Sequence, residues 1–196
     1  MRWGLLVAGI TTTLGGLLLI PKSAKASVDA PGEARGLFSI FTRRKAIPPD
    51  ILARHPKLAE LQPDFGVKIA YIIARLESRG FQPIIKRDSG WRSEADQRRI
   101  KSAGHSGVSF SFHMATEGGQ PAALAVDIVD RRWAWGDAAQ RNGFWDALHE
   151  EAQVEGYHTG ITWTNPWDPA HVQPWSKNSG MLAQVAAGNW SARDLA

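Results

Sequence analysis

Three short segments carry residue types that could do chemistry together. They are Ser111-Phe112-His113, Ala125-Val126-Asp127 and Asp168-Pro169-Ala170-His171. Two histidines and an aspartate are the usual ligands of a catalytic zinc ion that keeps its fourth position open for water. Asp168 lies three residues before the last histidine, where its carboxylate could take a proton from that water. If the segments converge, they predict a hydrolytic zinc site with His113, Asp127 and His171 as ligands.

Each of the proposed ligands also has a purely structural explanation. Asp127 falls within an apolar run, where a carboxylate is costly to bury unless a metal or a cation takes its charge. The alternative is a partly exposed edge strand, or a salt bridge to Arg131 or Arg132. His113 alone could be a polar loop residue, and the segment 168–171 could be a surface turn. The combination favours the metal site, because few other roles need all of these residue types.

A cation near the site could hold a substrate carboxylate or a developing oxyanion. Arg92, in Ser89-Gly90-Trp91-Arg92-Ser93, is the residue that we predict for this role. The alternative is a surface arginine that precedes a helix.

The ordered motifs resemble the M15 family of zinc metallopeptidases. The resemblance is carried by 89–93 with Gln97, by Ser111-Phe112-His113, by 123–127, and by the segment from Trp163 to Gln173. The family pattern is an aromatic-Arg-Ser element, a Ser-x-His, a Gly-x-Ala-x-Asp, and a tryptophan-containing segment that ends in acid-x-x-His. The family comprises D-alanyl-D-alanine carboxypeptidases and dipeptidases and the L-alanyl-D-glutamate endopeptidases of phage endolysins. The resemblance spans about residues 61–175.

The resemblance implies a zinc peptidase that acts on the stem peptide of bacterial peptidoglycan. His113, Asp127 and His171 would be the zinc ligands and Asp168 the catalytic acid and base. An aspartate rather than a glutamate at position 168 favours the endopeptidase branch over the dipeptidases. The residues implied to contact or support the substrate are Arg92, Ser111 and Gln97. Most tryptophans are expected to pack in the core, although Trp163, Trp167 and Trp175, which surround the predicted zinc segment, could line a groove for a muropeptide. Trp133 and Trp135 could do the same, with packing the favoured interpretation.

The sequence departs from the family pattern at two points. The pattern usually places the histidine and the aspartate seven positions apart, whereas His113 and Asp127 are fourteen apart. The excess predicts a loop insertion at 114–121, and His105 is the alternative ligand if the loop displaces His113. Ala123 stands where the family tends to have glycine.

The first 26 residues predict an export signal or a membrane anchor. Arg2 precedes the uncharged, mostly apolar run 3–20, Pro21 ends it, and Ala24-Lys25-Ala26 offers a small-x-small cleavage pattern. We therefore expect an exported protein, periplasmic, extracellular or tethered through residues 3–20, of bacterial or phage origin.

The net charge of +4 does not predict a nucleic-acid partner. Three of the 23 basic residues and none of the 19 acidic residues lie in 1–26, so the remainder of the chain carries +1. A near-neutral body lacks the excess of positive charge that binds phosphates. The chain has no cysteine, which excludes thiolate ligands and a cysteine nucleophile.

Residues 27–60 predict a linker, because prolines and glycines punctuate them and 43–45 form a basic cluster. A single α+β domain should follow at 61–196, with a small antiparallel sheet flanked by helices, like that of the D-alanyl-D-alanine metallopeptidases and hedgehog proteins. Predicted helices start at Pro63 and Ser93, and a third carries Trp145, Leu148 and Ala152. Predicted strands cover 81–86 and 122–129. We expect a monomer.

The sequence is compatible with three different functions. The leading prediction is an endopeptidase of the L-alanyl-D-glutamate type. A D,D-carboxypeptidase of the same family is the second, since Arg92 could also bind a terminal carboxylate. The third is a wall- or virion-associated binding module with a degenerate site, which the longer spacing between His113 and Asp127 would favour.

Overall fold

The structure, a computed structural model, describes residues 46–195. The predicted leader and the first part of the predicted linker, with its basic cluster, lie outside the described residues. Within 46–195, none of the helices combines the length and the apolar character needed to cross a membrane.

The described residues form six α-helices, three 3₁₀ turns and six strands. The helices are α1 (Pro49–Arg54), α2 (Pro63–Ser78), α3 (Glu94–Ser102), α4 (Asp137–Arg141), α5 (Phe144–Val154) and α6 (Met181–Ala186). The strands are β1 (Pro83–Ile85), β2 (Thr116–Glu117), β3 (Gln120–Pro121), β4 (Val126–Asp130), β5 (His158–Gly160) and β6 (Asp168–Gln173). The 3₁₀ turns are Pro56–Glu60, Phe112–Met114 and Ala192–Leu195.

Helix α2 supplies the largest apolar face of the core. The side-chain oxygen of Gln62 accepts a hydrogen bond from the backbone nitrogen of Phe65 at 2.9 Å and so caps the first turn. The apolar residues of the helix recur every three or four positions, which places them on one face. All of them are fully buried: Phe65, Ile69, Ile72, Ile73 and Leu76. This helix is confirmed as predicted.

The main sheet has four antiparallel strands in the order β1-β4-β6-β5. Helix α2 packs on α5 and contacts β1, while α5 contacts β5 and β6. Strand β4 lies inside the sheet, and all five of its residues are buried. The predicted fold class, α+β with a small antiparallel sheet flanked by helices, is confirmed.

The predicted insertion at 114–121 is a β-hairpin. Strands β2 and β3 pair antiparallel around Gly118 and Gly119, both with positive φ, which a two-residue turn of this kind requires. At the base of the hairpin, the backbone nitrogen of Ala122 donates to the carbonyl of Ala115 at 3.0 Å. The chain therefore returns to the point where it left, and the extra residues do not separate His113 from β4.

The second half of the predicted linker, residues 49–60, forms α1 and a 3₁₀ turn. Pro49 and Pro56 are the first residues of α1 and of a 3₁₀ turn, positions where the missing proline N–H costs nothing. Ile51 and Leu58 are 6% and 1% exposed and belong to the same core as α2. Both prolines, which the sequence pattern alone assigns to a linker, start helical turns.

We predict that Leu58→Ala lowers the free energy of unfolding by about 2–5 kcal/mol, because it leaves a cavity in the core. Urea unfolding of the full chain measures this difference. Val154→Ala is the matched control: Val154 is 71% exposed, so its truncation should change stability by less than about 0.5 kcal/mol. Equal small effects of both substitutions would show that residues 49–60 do not belong to the cooperative domain.

Candidate metal centre

The fold brings His113, Asp127 and His171 together. One nitrogen of each histidine and one carboxylate oxygen of the aspartate all lie within 4.8 Å of one another, and all three residues are buried. Asp127 on β4 lies directly opposite His171 on β6 in the sheet. His113 comes from the 3₁₀ turn 112–114, which the hairpin base holds beside the start of β4.

The surroundings of His113 decide which of its ring nitrogens carries hydrogen. Nδ1 lies 2.8 Å from the carbonyl oxygen of Gly90. A carbonyl can only accept, so Nδ1 is the protonated nitrogen and donates. In the neutral ring, Nε2 is then an unprotonated nitrogen with a free lone pair. That lone pair is directed at Asp127, whose Oδ1 is 3.4 Å away.

His171 is oriented in the same way by a different partner. The side-chain nitrogen of Gln173 donates to the carbonyl of Trp175 at 2.6 Å, which turns the amide oxygen of Gln173 towards His171. His171 Nε2 donates to that oxygen at 2.9 Å. Its Nδ1 lies 3.1 Å from Asp127 Oδ1 and is unprotonated in the neutral ring.

Two lone pairs therefore converge on one carboxylate oxygen, an arrangement that repels unless a proton or a cation lies between them. A proton can account for His171: burial opposes its charged form, but the hydrogen bond and charge of Asp127 prevail and raise the pKa of His171. Burial lowers the pKa of His113, so its ring stays neutral. Within the described residues, His113 Nε2 is a buried atom with no hydrogen-bond partner. One ring nitrogen of His113, one ring nitrogen of His171 and one carboxylate oxygen of Asp127 together are the donor set of a divalent metal ion.

Arg92 holds the other oxygen of the aspartate. Its Nη2 donates to Asp127 Oδ2 at 2.6 Å, and its Nε donates to the carbonyl of Asp88, also at 2.6 Å. Burial alone would raise the pKa of Asp127, but its neighbours, among them the hydrogen bond and charge of His171, hold the pKa well below the usual range. Oδ1 of Asp127 therefore remains free to face the two histidines, and the bond from Arg92 to Oδ2 fixes the orientation of the carboxylate. The predicted contact between Arg92 and a substrate stays a prediction.

The segment 89–92 connects two of the ligands through its backbone. The carbonyl of Ser89 accepts from Asp127 N at 2.9 Å, and Arg92 N donates to the carbonyl of His113 at 2.9 Å. Together with the Gly90 carbonyl on His113 Nδ1, these bonds position both ligands. The sequence predicts a role for the arginine of this segment but none for its backbone, because carbonyl groups carry no residue-type signal.

Strand β6 has a bulge next to Asp168. Thr159 pairs with Val172 and the next residue, Gly160, pairs with Asp168, so three residues of β6 have no partner on β5. A bulge re-aims side chains that a regular strand would point to opposite faces. Burial, followed by the negative charge of Asp127, raises the pKa of Asp168. Asp168 therefore lies close enough to Asp127 for the two charges to interact, and its protonated form is more favourable than that of an exposed aspartate.

Gly160 is the position that permits this bulge. A Cβ atom at Gly160 would lie 2.1 Å from the carbonyl oxygen of Asp168 and 3.1 Å from the ring of Trp163. Neither the backbone nor the packed ring can yield by the amount required. The approach of the two strands at this point needs glycine.

The remaining predicted residues differ in their placement. Ser111 precedes the 3₁₀ turn of His113, and its hydroxyl oxygen is buried without a partner among the described residues. Gln97 is 1% exposed and donates to Ser106 Oγ and to the carbonyl of Val108, both at 3.0 Å, so it ties down the loop 106–108 instead of facing a substrate. Trp167 is 52% exposed beside Asp168. His105 is exposed and lies outside the metal-binding group, so it does not replace His113.

The fold and the site define an α+β domain with a buried His-Asp-His group that could hold a metal ion. No protein-family model matches the chain, and comparison with curated proteins finds no match. Among solved structures, the chain is similar to the crystal structure of Serratia marcescens L-Ala D-Glu endopeptidase ChiX. The identity is 26% and the TM-score 0.44, over 60% of this chain and 83% of that chain.

We predict that Gly160→Ala lowers the free energy of unfolding by about 1–3 kcal/mol, because the added methyl group must displace the backbone of β6. Gly107→Ala is the control, since a Cβ at Gly107 meets nothing within 4 Å. Chemical denaturation of both variants measures the difference. A Gly160→Ala variant as stable as Gly107→Ala would mean that β5 and β6 do not approach as described.

We predict that Gln173→Ala weakens metal binding by about 10–100-fold, because His171 loses the acceptor that fixes its tautomer. Gln173→Glu, which keeps an oxygen acceptor, should lose less. Titration of the metal-free protein with zinc measures the affinity, and Gln153→Ala on the exposed side of α5 is the control. Unchanged affinity in Gln173→Ala would contradict the assigned orientation of His171.

Proposed function

We propose that the chain is a zinc-dependent peptidoglycan peptidase that hydrolyses an amide bond in the wall stem peptide, as an endopeptidase of the L-alanyl-D-glutamate type. The observation that carries the metal site is His113 Nε2, which is buried, has no hydrogen-bond partner within residues 46–195, and lies 3.4 Å from a carboxylate oxygen. The ordered motifs around this site support the choice of reaction and substrate.

The donor set fits zinc. Two imidazole nitrogens and one carboxylate oxygen are the protein ligands of many catalytic zinc sites, with one position left for water or substrate. When bound, zinc supplies a water of lowered pKa and polarises the scissile carbonyl. The same donors also occur in non-haem iron enzymes. Metal analysis of the purified protein therefore decides the identity of the ion.

Asp168 would move the proton in this reaction. A general base must accept a proton from the attacking water and return it to the leaving amine. The pKa of Asp168 is raised by burial and by the charge of Asp127, so the protonated form is less unfavourable than for an exposed aspartate. Asp168 can therefore keep the proton between the two transfers.

Arg92 would act mainly through Asp127. Its guanidinium balances the charge of that carboxylate and is 13% exposed, with Nη2 and Nε already bonded to protein oxygens. Its remaining N–H groups could still contact a carbonyl or a terminal carboxylate of the peptide. A carboxypeptidase would depend on such a terminal contact, whereas an endopeptidase would not.

Digestion of purified peptidoglycan tests the proposal. Mass analysis of the released muropeptides should show new amino termini at D-glutamate, and removal of the metal with a chelator should abolish their release. Restoration of activity by zinc but not by ferrous iron would establish the metal. Release of D-alanine alone would assign a carboxypeptidase, and activity that survives both chelation and His171→Ala would contradict the proposal.

We predict that Asp168→Asn reduces hydrolysis by about 10²–10⁴-fold, because the amide cannot accept the proton of the attacking water. Zinc content should stay at that of the unmodified protein, since Asp168 is not one of the three ligands. Asp146→Asn, at an exposed position on α5, is the control. Full activity in Asp168→Asn, or loss of zinc from it, would contradict the assigned role.

A further inference from the structure

A second candidate site lies at the end of the sheet where β6 begins. It is a surface cleft of about 250 Å³ whose lining includes Trp135, Trp145 and Trp167. Asp137, Gln140 and Arg141 of α4 line it too. Because Trp167 directly precedes Asp168, the cleft adjoins the residue to which we assign the proton transfer.

The two outer tryptophans are exposed although their rings are apolar. Trp135 and Trp167 are 48% and 52% exposed, and they are the only aromatic residues among the exposed large hydrophobic side chains of the described region. Both are held in place. Trp167 Nε1 donates to the carbonyl of Ile161 at 3.2 Å, and Lys86 Nζ lies 4.7 Å from the ring centre of Trp135. Fixed, exposed aromatic rings in a concave site indicate a binding surface.

The turn before Trp135 is strained. Ala134 has φ of +49°, in the left-handed region that a residue with a Cβ rarely adopts. Its backbone nitrogen donates to the carbonyl of Asp130 at 2.8 Å, which keeps the turn closed. This conformation is costly for a residue with a Cβ, and the residue that follows it is the exposed Trp135.

The polar side chains of the cleft are available to a ligand. Asp137, Gln140 and Arg141 are spaced to share one side of α4. All three are exposed, and in the part of the chain that the structure describes none of their side chains has a hydrogen bond or an ion pair. The charges of Asp137 and Arg141 cancel, and the third side chain, that of Gln140, is a neutral amide. Such a set suits a neutral ligand with many hydroxyl or amide groups.

We propose that this cleft binds an N-acetylated hexosamine of the wall glycan strand. The C–H face of a pyranose ring is weakly positive and can lie on the negative face of an indole ring. The hydroxyl and acetamido groups can then pair with the planar groups of α4. The volume is below that of sites for drug-sized ligands, which suits about one sugar ring.

The position of the cleft links it to the proposed substrate, and this step rests on the proposed function. In peptidoglycan the stem peptide is attached through its first L-alanine to a sugar of the glycan strand. The L-alanyl-D-glutamate bond is therefore one residue from that sugar. A sugar site next to Asp168 would select stem peptides still attached to glycan over free peptides.

Calorimetric titration with a β-1,4-linked tetramer of N-acetylglucosamine, which contains no peptide, tests the cleft separately from hydrolysis. Saturable binding is expected, with shifts in the indole N–H resonances of Trp135 and Trp167. Trp135→Ala should weaken binding about tenfold. Gln140→Ala should weaken it by about two- to tenfold. The matched controls Val154→Ala and Gln153→Ala should bind like the unmodified chain.

Hydrolysis gives a second, independent readout. In Trp135→Ala, the ratio of kcat/KM for a sugar-linked stem peptide to that for the free peptide should fall by about tenfold. Asp168→Asn should still bind the tetramer, so a failure of the proposed reaction leaves the sugar test intact. Absence of tetramer binding, resonance shifts confined to other tryptophans, or equal affinity in Trp135→Ala would overturn the proposal. Loss of self-association rather than of sugar affinity in Trp135→Ala would also overturn it and assign the cleft to a second copy of the chain.

Discussion

The whole site depends on one carboxylate oxygen, Asp127 Oδ1, that a ring nitrogen of His113 and a ring nitrogen of His171 both face. A proton on His171 satisfies one of these contacts, but the unprotonated nitrogen of His113 faces the oxygen with no hydrogen between them, and the surrounding bonds maintain this arrangement. Gly90 fixes the ring of His113, and Gln173 fixes the ring of His171. A buried carboxylate is normally surrounded by hydrogen-bond donors, and here the ring of His113 is turned so that its nearest nitrogen cannot donate. The fold is thus arranged before binding for an ion that would relieve the repulsion.

Asp127 also sets the properties of its neighbours, because its two oxygens serve different partners. Oδ2 is neutralised by Arg92, which limits the cost of burying the charge. Burial and the remaining negative charge of Asp127 together raise the pKa of Asp168. One residue therefore contributes to the ligand set and to the proton affinity of the adjacent acid. Asp168 is thus close enough for the charge of Asp127 to act on it, but it does not belong to the metal-binding group.

Elements with local signals could be predicted from the sequence, and elements that depend on long-range packing could not. Helix α2 has an apolar repeat, and Ser93 caps α3 by accepting from Asp96 N, as its spacing predicted. Three residue types in order indicated the ligand set. In contrast, the Gly90 carbonyl has no signature, and Gln173 gains its role only when β6 folds beside Trp175. The prolines at 49 and 56 were ambiguous, because proline both breaks and begins helices. The pair Gly118-Gly119 is compatible with both a loop and a hairpin turn, and only the pairing of β2 with β3 distinguishes the two.

The closed base of the β2–β3 hairpin has a consequence for how this domain can vary. The hydrogen bond from Ala122 to Ala115 closes the base of the hairpin between His113 and Asp127. A change in the length of the hairpin beyond this bond therefore does not have to move either residue of the candidate metal centre. The entropic cost of a longer loop rises slowly with its length. Related chains could therefore differ greatly in the distance between these two ligands along the sequence and still place them identically. Searches that require a fixed spacing would pass over such chains, and a peptide tag inserted between Gly118 and Gly119 should leave the site undisturbed.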